Sequence, residues 1–252
     1  MAISIKSKKD IESLRLPNKI VAQTLQLLAS QAKEGVSLLE LDSMAKDFIT
    51  SQGGRAAFYK LYGFPQSICT SLNQVIIHGI PNEYRLQNGD ILGIDIGVEY
   101  GGWYGDAAIS VGIGEISTEN ENLIACAKDV LYEAISHIKV GMRFKELSFF
   151  LQDSIIKRGF VPLRGFCGHG IGRAPHEEPE IPNYIEFPNI KQGPKIKEGM
   201  VFCIEPMIAQ KDGEPVILGD KWSVVAKDGL NGSHYEHTIA IVGGKAEILT
   251  EV

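Results

Sequence analysis

The 252-residue sequence contains no apolar run close to the roughly 20 residues that a membrane-spanning helix needs. Its start, Met1 to Lys6, places the charge after the apolar residues, which is not the pattern of a secretory signal peptide. With 44% hydrophobic residues, the chain is still rich enough in apolar side chains to bury a sizeable core. We therefore expect a globular, cytoplasmic protein that has no membrane partner.

Positive charge is also in short supply. The 25 Lys and Arg residues are outnumbered by 31 Asp and Glu, which gives a net charge of -6, and no basic block could follow a phosphate backbone. A nucleic acid is therefore not expected as a direct partner. The four cysteines form no CxxC pair, which argues against a zinc ribbon and against a disulfide framework.

Helix signals recur four times along a chain that no low-complexity linker divides. Capping patterns and apolar spacing predict helices that begin at Ser7, Ser37, Thr118 and about Phe144, and that end near Ala32, Gly53, Ala134 and Arg158. Pro17 should bend or split the first helix. Apolar runs predict strands over 91–98, 103–111, 200–204 and 238–242. We expect one catalytic domain over residues 1–252.

The two parts of the sequence, about 1–112 and 113–252, repeat a common order of residues. Residues 35–53 align without gaps on 141–159, with Gly, Glu, Leu, Asp, Ile and Gly at equivalent positions. The later matches in the same order are His78 with His169, Asp95 with Glu205, and Asp106 with Glu236. Four matches in one order predict two related halves around a pseudo-two-fold axis. Such a fold would bring the four carboxylates together.

A hairpin in the first half carries two of these carboxylates. A two-residue turn at Tyr100-Gly101 would place Asp95 directly opposite Asp106. For a lone Asp pair, a solvated hairpin tip is the first interpretation. However, residues 91–96 are apolar on both faces apart from the acid, as in a buried strand. Buried carboxylates that face each other need a cation between them.

The second half offers a matching set of ligands. Glu205 follows the apolar run 200–204, and Glu236 begins another buried-looking strand. Four carboxylates carry four negative charges, which two divalent ions would cancel. His169, between two glycines that allow close backbone approach, is the best fifth ligand. Such an oxygen-rich set suits Mn, Fe(II) or Co better than a structural zinc site, so we expect a dinuclear centre.

Other motifs in the sequence are weaker. The glycines of 168–172 imitate a dinucleotide loop, but Pro175 and Pro179 stand where its helix should begin. His234 and His237 would point to opposite faces of a strand, so we expect His234 behind the ligands and His237 in the core or at the surface. The sequence has no GxSxG nucleophile elbow.

Five segments together resemble the type I methionine aminopeptidases. They are Ile77-His78-Gly79-Ile80-Pro81, the hairpin with Asp95 and Asp106, Gly168 to Pro179, Ile204-Glu205-Pro206-Met207, and Glu236-His237-Thr238. The resemblance implies an α+β pita-bread (creatinase/aminopeptidase) fold, with two pseudo-symmetric halves around a mixed, largely antiparallel sheet and helices outside. It also implies removal of the initiator methionine when the second residue is small.

The same resemblance implies roles for single residues. Asp95 would bind one metal ion, His169 and Glu205 the other, and Asp106 and Glu236 both. The two divalent ions could be Co, Mn, Fe(II), Zn or Ni, and a water that bridges them would attack the scissile carbonyl.

Three residues are implied as catalytic and five more as the methionine pocket. Glu205 would move a proton to the leaving amine, His78 would contact the substrate near the scissile amide, and His176 would stabilise the tetrahedral intermediate. The implied pocket comprises Phe58, Leu61, Phe64, Cys69 and Trp222. The expected partners are peptides and nascent chains with N-terminal methionine, close to the ribosome, and the chain is expected to be a monomer.

Two other functions fit the same residues. X-Pro aminopeptidases and prolidases share the ligand set, but they usually carry a further N-terminal domain, which we do not expect in 252 residues. A binding protein of the same fold without activity is the other alternative, and loss of metal ligands would mark it. Structural ion pairs would explain single carboxylates but not their ordered repetition.

Overall fold

A computed structural model describes residues 2–186 and 189–251. Its four helices are α1 (Lys8–Gln31), α2 (Leu38–Ser51), α3 (Thr118–His137) and α4 (Phe144–Lys157), and a short 3-10 helix spans Leu61–Gly63. No helix among the described residues has the combination of length and apolar character needed to cross a bilayer.

Fifteen strands are found in the described ranges. They are β1 (Arg55–Ala56), β2 (Cys69–Leu72), β3 (Val75–Ile77), β4 (Ile91–Tyr100), β5 (Trp103–Gly112), β6 (Val161–Pro162), β7 (Cys167–Gly170), β8 (Glu177–Pro182), β9 (Val201–Ile204), β10 (Met207–Ala209), β11 (Pro215–Ile217), β12 (Val224–Ala226), β13 (Gly232–His234), β14 (Glu236–Val242) and β15 (Lys245–Ile248). The four predicted strands are confirmed as β4, β5, β9 and β14, whereas the other eleven were not predicted.

The helix starts follow the capping signals closely. Ser7 and Asp10 form the predicted capping box of α1. The predicted start of α3 at Thr118 is confirmed, and the side chain of its N-cap, Ser117, accepts a hydrogen bond from the backbone N–H of Asn120. The split predicted at Pro17 is wrong, since α1 continues through it as one helix. Buried apolar residues on both sides of the proline show that tertiary packing outweighs its low helix propensity.

A nine-stranded sheet forms the centre of the molecule. Its order is β1-β4-β5-β14-β9-β7-β8, with β2 also on β4 and β15 also on β14. The pairs among the described strands are antiparallel, in agreement with the largely antiparallel sheet expected. One apolar cluster joins α1 and α2 to β4, and a second joins α3 and α4 to β9 and β14. The helices therefore pack on the sheet in two similar pairs.

The two parts of the chain repeat the same backbone contacts. The N–H of Gly35 donates to the carbonyl of Leu86 at 2.8 Å, and the N–H of Gly141 donates to that of Ile196 at 2.9 Å. Both glycines have positive φ, +87° and +91°, and each lies three residues before the start of its helix, α2 or α4. The matching sequence segments thus form matching structures.

The register of the β4–β5 hairpin differs from our prediction. The turn is Gly101-Gly102, and both residues have positive φ, as a type I′ turn requires. Tyr100, which was predicted in the turn, instead pairs with Trp103. Asp106 is therefore opposite Gly97 and diagonal to Asp95, not directly opposite it. Because the shift is two residues, both carboxylates stay on one face of the sheet.

Candidate metal centre and active site

Five adjacent strands supply the five predicted metal ligands. Asp95 lies on β4, Asp106 on β5, Glu236 at the start of β14, Glu205 directly after β9, and His169 on β7. These strands are consecutive in the sheet order β4-β5-β14-β9-β7. The curled sheet thereby brings together side chains that lie up to 141 positions apart in the sequence.

The donor atoms of these residues converge on Glu236. Oxygen atoms of Asp95, Asp106 and Glu236 lie within 4.8 Å of one another. A second group within the same distance comprises Glu205, His234 and Glu236, and a third comprises His169, Cys203 and Glu236. Overlapping groups that share one carboxylate match the geometry in which a bridging residue serves two ions.

Five of the donor atoms are buried and make no hydrogen bond to the protein. Within residues 2–186 and 189–251, no hydrogen bond is made by Oδ1 of Asp95 or Asp106, Oε1 of Glu205 or Glu236, or Nε2 of His234. Asp106 and Glu236 are only 3% and 2% exposed. Buried polar atoms without partners are costly, and divalent cations satisfy such oxygen and imidazole donors. The residues present therefore fit a divalent metal centre.

Burial and mutual repulsion raise the affinity of the carboxylates for protons. Burial raises the pKa of Asp95 to about 6. Burial, followed by the charges of Glu236 and Asp95, raises the pKa of Asp106 well above its ordinary value. The pKa values of Glu205 and Glu236 are raised by the same two effects. Without a cation, the cluster would hold protons that a metal ion must displace.

Hydrogen bonds to neighbouring groups fix the orientation of two of the proposed ligands, Asp106 and His169. The hydroxyl of Thr238 donates to the carbonyl of Asp106 at 2.7 Å and accepts from its N–H at 3.3 Å. Nδ1 of His169 lies 3.0 Å from the carbonyl of Gly170, so Nδ1 carries the proton and Nε2 is left as the donor atom. That Nε2 is 3.5 Å from Oε1 of Glu205, and burial lowers the pKa of His169 to about 3. The ring is therefore neutral.

Both predicted catalytic histidines line the cavity above the carboxylates. His176 lies edge-on to His169, with 4.5 Å between ring centroids, and stacks on Tyr62 at 5.9 Å. His78 follows β3 and packs edge-on against Phe166 at 5.7 Å. Burial lowers the pKa of His78 to about 4, so its ring is uncharged at neutral pH.

The cavity has about 480 Å³ of space, with the carboxylates on one side and an apolar wall on the other. All five residues of the predicted pocket line it: Phe58, Leu61, Phe64, Cys69 and Trp222. The rings of Phe64 and Trp222 meet edge-on at 5.1 Å. The structure thus places every predicted site residue around one cavity.

Some neighbours of the site were missed or only loosely placed from the sequence. Cys203 is fully buried beside the cluster, and its spacing of two residues from Glu205 in an extended segment could have indicated this. Tyr62, between two predicted pocket residues, was also missed. His234 was predicted behind the ligands, but its Nε2 lies 3.6 Å from Oε2 of Glu205 and within the donor group of Glu205 and Glu236. His237 is a core residue held by Tyr132 and Thr250.

Comparison with known proteins gives consistent matches along the whole chain. Metallopeptidase family M24 matches residues 12–242. The methionine aminopeptidase of Helicobacter pylori strain J99 is 64% identical over 252 residues, which is 100% of both chains. The crystal structure of the methionine aminopeptidase of Thermotoga maritima superimposes with a TM-score of 0.96 at 34% identity, and it covers 100% of both chains.

A likeness of fold alone extends further. The prolidase of Pyrococcus furiosus superimposes with a TM-score of 0.77 at 22% identity. The match covers 98% of this chain but 65% of the prolidase. The two proteins therefore share the arrangement of strands and helices.

Proposed function

The chain belongs to metallopeptidase family M24 and to the methionine aminopeptidases within it, and on that premise we propose that it removes the N-terminal methionine of newly made polypeptides when the second residue is small. The observation that carries the proposal is the cavity in which four carboxylates, each with a buried oxygen that lacks a hydrogen bond, face an apolar wall. The carboxylates suit hydrolysis assisted by metal ions, and the wall suits an apolar side chain.

Two divalent ions fit the distribution of donors. Asp95 would hold one ion, His169 and Glu205 would hold the other, and Asp106 and Glu236 would contact both. The unpaired buried oxygens and the central position of Glu236 support this assignment. Bound there, the ions would supply a water of lowered pKa and a Lewis acid for the scissile carbonyl.

Three side chains would act on the substrate: one would transfer the proton of the attacking water, one would stabilise the oxyanion, and one would hold the scissile amide. The carboxylate of Glu205 would take the proton of the attacking water and pass it to the leaving amine. The N–H of the neutral His176 ring would donate to the oxyanion, a contact typically worth about 2.7–4 kcal/mol. His78 would hold the substrate near the scissile amide, and its uncharged ring can both donate and accept.

The apolar wall would bind the methionine side chain. Phe58, Phe64 and Cys69 are buried there, and Leu61 and Trp222 pack against them. An unbranched thioether side chain adapts well to such a surface and makes favourable contacts with aromatic rings.

The setting of the reaction follows from the substrate. Polypeptides with an initiator methionine are made in the cytoplasm, so we place the enzyme there, close to the ribosome. We further propose that residues 1–252 act as one catalytic domain and as a monomer. Every proposed ligand and pocket residue belongs to this chain, so the proposed site needs no residue of a second copy.

The test begins with metal-free protein, restored in turn with Mn, Fe(II) or Co. Free amino acid is then measured from Met-Ala-Ser, Met-Leu-Ser and Ala-Pro-Ser peptides. We expect metal-dependent release of methionine from Met-Ala-Ser, and little from Met-Leu-Ser because its second residue is large. Cleavage of Ala-Pro-Ser alone would transfer the assignment to the X-Pro peptidases. No release from any peptide with metal bound would indicate a binding protein.

A further inference from the structure

The segment before α1 reaches the active site through one buried lysine. Lys6 is only 5% exposed, and its backbone N–H donates to the carbonyl of Gly199 at 2.7 Å. A buried ammonium requires a counter-charge because desolvation of an unpaired ion is costly. Its Nζ donates a hydrogen bond of 2.5 Å to Oε2 of Glu177, 171 positions away in the sequence.

The carboxylate of Glu177 belongs to the loop that carries His176. Its other oxygen, Oε1, accepts hydrogen bonds from the backbone N–H groups of Arg173 at 2.7 Å and Ala174 at 3.2 Å. Burial favours a higher pKa for Glu177, but the hydrogen bond and charge of Lys6, together with these N–H donors, lower it. One carboxylate therefore closes the loop on itself and joins it to the N-terminal segment.

The contact leaves little room for rearrangement. A Cβ atom at Gly172 would lie 2.6 Å from Cε of Lys6 and 2.9 Å from Oε1 of Glu177. The stem of the lysine and the carboxylate thus pack directly on the loop backbone. Any other side chain at position 172 would push one of them away.

The opposite side of the loop is fixed to the turn of the β4–β5 hairpin. The guanidinium of Arg173 lies 3.7 Å over the ring of Trp103 and donates to the carbonyl of Gly102 at 3.1 Å. The N–H of Tyr104 donates to the carbonyl of Gly172 at 3.0 Å. The backbone that precedes His176 is therefore held on one side by the hairpin and on the other by Lys6.

We propose that Lys6, acting through Glu177, is a positioning residue for His176 and so sets the rate of the chemical step. The inference rests on the proposed function, because it needs His176 to contact the reacting group. An oxyanion donor is effective only when it is held in place before the reaction, and small displacements are costly. Lys6 itself does not line the cavity described above.

The test replaces Lys6 by methionine, which keeps most of the apolar stem and removes the charge. For Lys6→Met we expect kcat on Met-Ala-Ser to fall about tenfold or more, with KM changed by less than about twofold. Lys6→Arg should keep most of the activity because it retains the charge and the donor. Arg15→Met is the matched control: it removes another ion pair of the N-terminal region, with Glu247 at 2.6 Å, and should leave kcat unchanged.

A test of Lys6→Met in a His176→Ala background distinguishes a positioning role of Lys6 from a general loss of structure. In His176→Ala protein, Lys6→Met should cause no further fall in kcat, because its effect passes through a ring that is no longer there. The affinity for Mn, measured by calorimetry, should be equal in the wild type and in Lys6→Met. If Lys6→Met does not fold, Lys6→Gln serves in its place, since it removes the same charge without altering Glu177, which lines the cavity.

The outcomes distinguish this inference from the proposed function. Full activity of Lys6→Met, or an equal loss of kcat in the His176→Ala background, would overturn the positioning role. The proposed role of His176 would survive either result, provided that His176→Ala alone loses kcat. If His176→Ala is as active as the wild type, the proposed function of that residue fails first.

Discussion

At the scale of single residues, the candidate metal centre contains four carboxylates that would repel one another strongly in an apolar interior. Asp95, Asp106, Glu205 and Glu236 each have one buried oxygen that makes no hydrogen bond among the described residues. Burying an uncompensated carboxylate costs several kcal/mol even after relaxation. The cluster is therefore suited to hold cations or protons, and in both cases it favours ligands with positive charge.

Glu205 is the residue on which the proposed proton transfer depends. We predict that Glu205→Gln lowers kcat on Met-Ala-Ser by about 100-fold or more, because an amide cannot carry the proton to the leaving amine. Substrate binding, measured as the affinity for a non-hydrolysed methionine analogue, should stay largely intact.

The matched control is Glu180→Gln. Glu180 lines the same cavity but is exposed and lies outside the cluster, so this variant should keep kcat near the wild-type value. Turnover of Glu205→Gln at the rate of Glu180→Gln would remove Glu205 from the mechanism.

At the scale of elements, the β4–β5 hairpin determines both the metal site and the pocket. Gly97 lies two residues from Asp95, opposite Asp106, and a Cβ there would be 2.6 Å from Cε1 of Phe58. The absence of a side chain at this position is what allows the Phe58 ring to lie on the pocket wall. The pocket and the metal ligands are thus coupled through one strand.

We predict that Gly97→Ala raises KM for methionine peptides by about tenfold, a change of the size expected for one methyl group in an apolar pocket. The ring of Phe58 must move to make room, and the space for the methionine side chain changes with it. Steady-state kinetics on Met-Ala-Ser give KM, and calorimetry with Mn shows whether the metal centre is preserved.

Gly219→Ala is the control for this change, because nothing lies within 4 Å of a Cβ at that position. Its KM should equal that of the wild type. An unchanged KM in Gly97→Ala would mean that Phe58 is not part of the methionine pocket.

At the scale of the whole molecule, metal binding and proton binding compete for the same donors. Burial raises the pKa of Asp95 to about 6, and the other three carboxylates are shifted in the same direction. His169 is shifted the other way, to about 3, so it does not compete for protons near neutral pH. Raised pKa values mean that protons occupy the site at low pH and leave as the pH rises.

We therefore predict that the affinity for Mn increases between pH 6 and pH 8, by about tenfold per pH unit for each proton displaced. Calorimetric titrations in two buffers with different heats of ionisation count the protons that are released. Equal affinities at both pH values, without proton release, would contradict the pKa shifts of the cluster.

Much of this protein is determined locally by the sequence. The capping signals of Ser7 and Ser37 fixed two helix starts, since these hydrogen bonds involve residues only three positions apart. The apolar runs predicted the central strands, and the repeated order of residues predicted two similar halves and the set of ligands. The resemblance to a family then added roles for His78 and His176 that spacing alone did not contain.

Tertiary structure decided what depends on distant partners. The register of the hairpin followed from two glycines with positive φ, not from the residue pair at the predicted turn. The continuity of α1 through Pro17 depends on packing between elements, and the place of Cys203 in a donor group with His169 and Glu236 depends on the pairing of distant strands. The ion pair of Lys6 with Glu177 joins residues 171 positions apart, a contact that no local pattern records. Local hydrogen bonding and periodicity therefore give the elements, and only the folded sheet gives the positions of the side chains that act together.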